Sequence, residues 1–317
     1  MSDIITPTMD GLLHELRAWA LSEGAVVGVA RVGEDVFVIT DDPSLDRDDP
    51  RVRFASVDAA RSICVSGGIE VVYDPTRRLR TLAIDAQPDP PERRVVRSAC
   101  GRYERDVWFA PGRAAGDHTL AVFLDAEFYL HDMAALAAIR EHFPSLSCAF
   151  VSFRDAASRH ADYLCDPHYA RFLADDVVAS AAAYAARPYR DALLCGVSLS
   201  GLAAAHAVAL CPHVFSAALA QSGSFWWLAD HPVAFPETNA RCWLSVGTEE
   251  TETGVTHPPT NLLQRVSQIE GVERAAQLLR SRGATVHTNR YVGGHSFSAW
   301  RAEFAEALAW LLGADRS

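Results

Sequence analysis

The residues of this chain best suited to chemistry sit in a run near its middle, Leu193-Leu194-Cys195-Gly196-Val197-Ser198-Leu199-Ser200-Gly201-Leu202-Ala203-Ala204-Ala205-His206. An apolar stretch meets a tight small-residue turn, and a small-residue helix follows, which is the strand–turn–helix pattern of a nucleophile elbow. So tight a turn needs small residues two positions before and two after the nucleophile. Around Ser198 these are Gly196 and Ser200; around Ser200 they are Ser198 and Leu202, whose side chain would clash, so Ser198 is the candidate nucleophile. A serine hydroxyl is a weak nucleophile until a base takes its proton. Of the twelve histidines, His295 in Tyr291-Val292-Gly293-Gly294-His295 follows an extended segment and precedes the last helix. Its glycine pair lets the backbone turn sharply, so the imidazole can swing back over the sheet edge. His287 lies inside a strand, and His206 and His213 lie on or just beyond the elbow helix; these three read as structural. A carboxylate is expected to orient the imidazole. The loop after the strand Cys242–Val246 offers Glu249, Glu250 and Glu252, of which Glu250 is favoured. An oxyanion needs two donors: the Leu199 amide comes with the elbow, and an amide near Ala126, after the strand Leu120–Leu124, is the second candidate.

Positioning these groups requires a sheet with its strand ends aligned. Beyond Gln87-Pro88-Asp89-Pro90-Pro91-Glu92-Arg93, the best linker signal in the chain, strands are expected at Val95–Ala99, Asp106–Ala110, Leu120–Leu124, Ala149–Phe153, Ala192–Cys195, Ala217–Gln221, Cys242–Val246 and Thr285–Val292. Helices are expected near Met133–Glu141, Tyr169–Tyr184, from the elbow to Leu210, near Leu262–Arg282 and at the C-terminus, where Phe297, Trp300, Phe304, Leu308 and Leu311 form one apolar stripe. This alternation predicts an α/β fold with a mostly parallel sheet covered on both faces. Before the linker, a helix at Met9–Ser22 stopped by Gly24 precedes a hairpin of Ala25–Arg31 and Asp35–Thr40. Short strands then follow at Ser62–Val65, Ile69–Tyr73 and Leu79–Asp85, with turns at Gly67-Gly68 and Asp74-Pro75. Residues 1–92 thus read as a small β-rich domain whose role its residues do not give, a lid and a dimerisation element being the candidates, and residues 93–317 as the catalytic domain.

Composition narrows the function classes. The 317 residues carry a net charge of −11 and no basic run, so neither nucleic acid nor an anionic membrane is an expected partner. Every basic residue is arginine, which removes lysine Schiff-base chemistry. Seven cysteines in mostly apolar runs, without C-x-x-C spacing, read as reduced and buried in a cytoplasmic protein. Met1 to Gly11 has no apolar core of a signal peptide, and no apolar run is long enough to span a membrane. Neither H-E-x-x-H nor paired Cys/His spacing occurs, so no metal or other cofactor is expected.

Ser222-Gly223-Ser224-Phe225-Trp226-Trp227 follows the strand after the elbow helix. Together with the elbow, Leu124-Asp125-Ala126-Glu127-Phe128, Arg159 with Cys165-Asp166, and Gly293-Gly294-His295, it resembles the enterochelin (enterobactin) esterase family from about residue 94 to the end. The resemblance implies an α/β-hydrolase fold and a serine esterase acting on a catecholate siderophore trilactone or a related aryl or lactone ester. It also implies substrate-binding roles: Phe225, Trp226 and Trp227 stacking aryl rings, and Arg159 meeting catecholate or carboxylate oxygens, against the alternative of an ion pair with Asp155 or Asp162. Ser200, Ala126 and Asp166 stand where the family usually or often carries Gly, Gly and Asn. The same acyl-enzyme also serves an acyltransferase, and a non-catalytic binding protein on a hydrolase scaffold is the reading from another class. The expected partner is a small-molecule ester, an iron–siderophore among the candidates.

Overall fold

The computed structural model describes residues 8–22, 26–42, 44–45, 49–65, 69–114 and 118–313. The expected Gly24 stop and Gly67-Gly68 turn lie outside the described residues. The chain divides into two compact units, Met1–Pro91 and Glu92–Ser317.

The first unit holds strands β1 (Val26–Val32), β2 (Asp35–Thr40), β3 (Val52–Ala55) and β4 (Ile69–Tyr73) in the order β3-β2-β1-β4. Helices α1 (Met9–Ser22), α2 (Val57–Val65) and α3 (Arg78–Asp85) pack on it. Leu12, Leu13, Leu16 and Ala20 of α1 cluster with Val26, Val29, Val36 and Val38. Ala60 and Leu79, from α2 and α3, join Val27, Ala30, Ile39 and Val71 in a second cluster. Ser62–Val65 and Leu79–Asp85, expected as strands, are therefore helical. Ser56 caps α2, its Oγ accepting the Ala59 N–H at 3.2 Å; α3 has no side-chain cap at its N-cap Arg77, but the upstream Asp74 accepts the Arg80 N–H in its first turn at 2.9 Å. Such capping decides between helix and strand for short apolar runs that periodicity alone leaves open.

The second unit is built on β5 (Glu92–Arg97), β6 (Glu104–Ala110), β7 (Thr119–Leu124), β8 (Ser147–Val151), β9 (Asp191–Val197), β10 (Phe215–Gln221), β11 (Arg241–Gly247) and a late strand at Thr285–Tyr291. With β12 (Val255–His257) and β13 (Leu262–Gln264) forming a separate hairpin, that late strand is β14. The eight-stranded order is β14-β11-β10-β9-β7-β8-β6-β5. The run from β14 to β8 is parallel, and β6 and β5 close the edge antiparallel. The helices are α4 (Ala135–His142), α5 (Ala156–Tyr163), α6 (Pro167–Arg171), α7 (Val178–Tyr184), α8 (Leu199–Leu210), α9 (Gln268–Ser281) and α10 (Phe297–Leu312).

Helices cover both faces because the central strands bury both sets of side chains. In β7 every residue is buried: Leu120, Val122 and Leu124 join the cluster that includes Leu202 and Ala205 of α8, while Phe123 stacks on Phe150 at 4.7 Å and meets Phe304 of α10. Leu262–Gln264, expected as the start of a helix, is instead a hairpin strand, and α9 begins at Gln268, where Ser267 Oγ accepts the Glu270 N–H at 3.1 Å. All seven cysteines are free; six are buried and Cys100 is exposed. Among the described residues no helix is long and apolar enough to cross a membrane.

Candidate active site

Strand β9 delivers the chain to Ser198, whose φ of 54° and ψ of −122° fall where L-residues rarely sit. Strain of that size persists only when the surroundings fix it. Here the Ser198 N–H donates to the Gln221 carbonyl at 2.9 Å, and the Ser198 carbonyl accepts the Ser224 N–H at 2.9 Å and the Gly201 N–H at 3.0 Å. A Cβ on Gly196 would collide with the Ser200 carbonyl, so this position tolerates only glycine. The Ser200 hydroxyl is buried and spent on the elbow itself: it donates to the Val197 carbonyl at 2.7 Å and accepts the Val197 N–H at 2.8 Å. The half-buried Ser198 hydroxyl is the one that faces open space, with Ser224 Oγ at 3.4 Å.

The loops after β11 and β14 are stitched together. Thr248 and Glu249 donate their N–H groups to the carbonyls of Tyr291 and Gly293, each at 2.9 Å. Gly293 takes φ 130°, and a Cβ on Gly247 would strike its carbonyl. This stitching sets Glu250 against His295. Glu250 Oε2 lies 2.6 Å from His295 Nδ1. Its other oxygen, Oε1, accepts from the Gly247 N–H at 2.7 Å, the Ser222 hydroxyl at 2.7 Å and the Tyr291 hydroxyl at 2.8 Å. Trp300 Nε1–H in turn reaches Ser222 Oγ at 2.9 Å and Tyr291 Oη at 3.0 Å. Burial alone would raise the Glu250 pKa; the His295 hydrogen bond and charge, with the Ser222 and Gly247 donors, outweigh it and hold the carboxyl below its ordinary value. Burial and the Glu250 charge push Tyr291 upward, against the Ser222 and Trp300 hydrogen bonds, so its hydroxyl stays a donor. The edge of the His295 ring meets Trp300, centroids 4.8 Å apart.

The loop after β7 is held by a different device. Asp125 is fully buried with φ 57°. Arg159 grips it with both arms, Nε to Oδ1 and Nη2 to Oδ2, each 2.7 Å, and Tyr163 Oη accepts the Asp125 N–H at 3.3 Å. Ala126, next in the chain, is fully buried. Arg159 therefore pairs with neither Asp155 nor Asp162: Asp155 caps α5, and Asp162 takes the buried Arg105. Arg159 clamps the loop through Nε and Nη2, and the residue also lines the cavity at Ser198.

Ser198, Leu199, Ser224, Trp226, Glu249, Glu250, Glu252, His295 and Arg159 share one cavity of about 420 Å³, with His160, His257, Gln268 and hairpin residues completing its wall. No hydrogen bond joins His295 to Ser198 among the described residues; the two face the same space. Of the three expected aromatic contacts, only Trp226 lines the cavity. Phe225 is 2% exposed and sits in the main core, and Trp227 stacks on His231 at 4.4 Å; neither lines the cavity. The short 3-10 turn Phe225–Ala229 points them inward and sideways, leaving Trp226 at the wall, stacked on His257 at 5.1 Å. Ser222, Tyr291, Trp300 and Asp125 escaped the sequence reading as supporting groups. The Ser-Gly-Ser that precedes the aromatic run was the signal for Ser222 and Ser224. Among the described residues no cluster of His, Cys, Asp and Glu is arranged to hold a metal ion.

Comparison with known proteins places this geometry in context. The model of the Esterase family ("Putative esterase") matches residues 145–311. The chain is 28% identical over 213 residues to an iron(III) enterobactin esterase of Dickeya dadantii, covering 62% of this chain and 48% of that protein. It spans about half the length, or less, of the curated relatives it matches. Among solved structures, the enterobactin esterase FES from Shigella flexneri in the presence of enterobactin superposes with a TM-score of 0.59 at 21% identity, covering 72% of this chain and 60% of that one. Mycobacterium tuberculosis MPT51 superposes with a TM-score of 0.55 at 16% identity, over 71% of this chain and 99% of that one. These likenesses establish the α/β-hydrolase fold of the second unit.

Proposed function

The chain belongs to the Esterase family, and from that premise we propose that it is a serine esterase acting on a siderophore-type trilactone or a related aryl ester. The observation that carries the reading is the strained Ser198 sharing a cavity with a histidine–carboxylate pair. Glu250 fixes the proton of His295 on Nδ1, which leaves Nε2 to take the Ser198 proton as the hydroxyl attacks an ester carbonyl. Catalytic hydrogen bonds often tighten only when substrate is bound, so the open Ser198–His295 gap is one the substrate closes. The Leu199 amide, at the start of the twelve-residue helix α8, and the Ala126 amide, held by the Asp125–Arg159 clamp, are the proposed donors to the oxyanion. His295 then returns its proton to the leaving alcohol, and water resolves the acyl-enzyme by the same route.

Charge refines the substrate. Arg159 is neutralised by Asp125, and Glu249 and Glu252 also face the cavity. This favours an iron-free trilactone or a neutral ester over a ferric tris-catecholate, which carries three negative charges. Free cysteines throughout fit a reducing compartment, which supports action in the cytoplasm. The test is mass-spectrometric product analysis with iron-free enterobactin, its ferric complex and phenyl acetate. The expected result is linear serine esters from the iron-free trilactone and acetate from the small ester, both lost in Ser198→Ala. Turnover no faster than that variant on all three would overturn the reading.

A further inference from the structure

One wall of the cavity does not belong to the main sheet. Glu252, Val255, His257, Leu262 and Gln264 all come from one segment, the β12–β13 hairpin and its approach. Among the described residues these two strands pair only with each other. A lone two-stranded hairpin is marginal in water, so what ties it down decides the shape of the cavity. Some ties are internal, such as Gln264 Nε2 donating to the Glu252 carbonyl at 3.0 Å. One is an exposed ion pair, Arg265 with Asp230 at 3.1 Å, of a kind that contributes little. Two more reach the body of the unit. His257 stacks on Trp226, and Thr260, at the hairpin turn, places Oγ1 2.6 Å from Nδ1 of His160 on α5. His160 is buried, and burial, with Arg159 and His257 nearby, holds its pKa below the ordinary histidine value, so the ring is neutral at neutral pH. This hydrogen bond spans a hundred residues and has no role in the proton transfers assigned to His295.

We propose that the β12–β13 hairpin is the substrate-selecting wall of this cavity, that its Val255, Leu262 and His257 side chains receive a substrate group larger than acetyl, and that the His160–Thr260 hydrogen bond is the latch that holds the wall in place. The proposal rests on the esterase reading of Ser198. His257 is then a specificity residue that touches substrate, and His160 and Thr260 are positioning residues.

Vinyl acetate and vinyl benzoate share a leaving group and differ in the acyl group the wall would receive. Thr260→Val keeps the side-chain shape and removes the hydroxyl, and Thr260→Ser keeps the hydroxyl. In Thr260→Val the KM for vinyl benzoate should rise about five-fold, the scale of one neutral hydrogen bond, with kcat and KM for vinyl acetate within about two-fold of wild type; Thr260→Ser should restore the benzoate value. Hydrogen exchange should quicken by a similar factor at 255–264 and stay unchanged in β11. Equal changes for both esters, or unchanged exchange in the hairpin, would overturn the latch and the wall together while leaving Ser198 chemistry intact. Failure of the wild type on both vinyl esters and on enterobactin, its ferric complex and phenyl acetate alike would instead overturn the esterase reading, and the wall's selectivity with it; failure on the vinyl esters alone would overturn the wall.

Discussion

Replacing Glu250 with glutamine tests the orienting role of its carboxylate more sharply than truncation does. Three donors converge on Oε1: the Gly247 amide and the Ser222 and Tyr291 hydroxyls. The Gly247 N–H cannot rotate away, so the amide nitrogen of a Glu250→Gln side chain must occupy the other position, 2.6 Å from His295 Nδ1. There it donates, and Nδ1 must become the acceptor. The imidazole proton moves to Nε2, the nitrogen proposed to receive the Ser198 proton. The side-chain volume is unchanged and the oxyanion donors remain, so the loss is one of tautomer. An analogous exchange in a serine protease triad lowers kcat about 10⁴-fold, and here we expect a fall of about 10³–10⁴-fold, equivalent to about 4–5.5 kcal/mol of barrier. Steady-state hydrolysis of vinyl acetate gives the rate, and ¹⁵N NMR of labelled histidine reports which ring nitrogen of His295 carries hydrogen. A variant within about ten-fold of wild type, with the proton still on Nδ1, would refute the reasoning.

Further outcomes follow from the same contacts. Arg159→Met strands Asp125 as an unpaired buried carboxylate, with an expected cost of about 3–5 kcal/mol in urea denaturation and a lower kcat; adding Asp125→Asn should recover part of the stability, and strict additivity would contradict the clamp. Glu250, held below its ordinary value of 4.5, contributes stability above that value and loses it as pH falls through the depressed one. The difference in urea midpoint between wild type and Glu250→Gln should therefore shrink as the pH falls below 4.5, and a constant difference would contradict the assigned contacts. Gly196→Ala sets a methyl group against the Ser200 carbonyl, so esterase activity should fall at least about ten-fold; full activity in that variant would mean that the elbow is looser than described.

The elbow is legible in the sequence because its constraints are local: a glycine two residues before Ser198, a small residue two after, an apolar run ahead and a small-residue helix behind. The parallel sheet is legible for a related reason, since strands buried on both faces, such as β7, leave continuous apolar runs. Residues that meet only through the fold are not legible. Ser222 and Tyr291 meet one carboxylate oxygen from separate elements, with Trp300 from a third holding both hydroxyls, and no spacing in the chain announces that. Arg159 has acidic neighbours at 155 and 162, yet its partner is Asp125, brought to it by a left-handed turn 34 positions away. The Phe-Trp-Trp run shows its aromatic character but not its direction, because a single 3-10 turn sends the three rings to different surroundings. Short apolar stretches in the first unit fail differently: Ser56 caps one helix and Asp74 holds the first turn of another through one backbone N–H each, a signal too small to outweigh composition when the run is under ten residues.

The proposed chemistry requires that Ser198 be the hydroxyl activated for covalent reaction. Treating the protein with a fluorophosphonate and reading intact mass and peptide maps tests it directly. The expected result is a single stoichiometric adduct on Ser198, absent in Ser198→Ala and strongly slowed in His295→Ala. An adduct on another residue, no adduct on folded wild-type protein, or equal labelling of Ser198→Ala would contradict it.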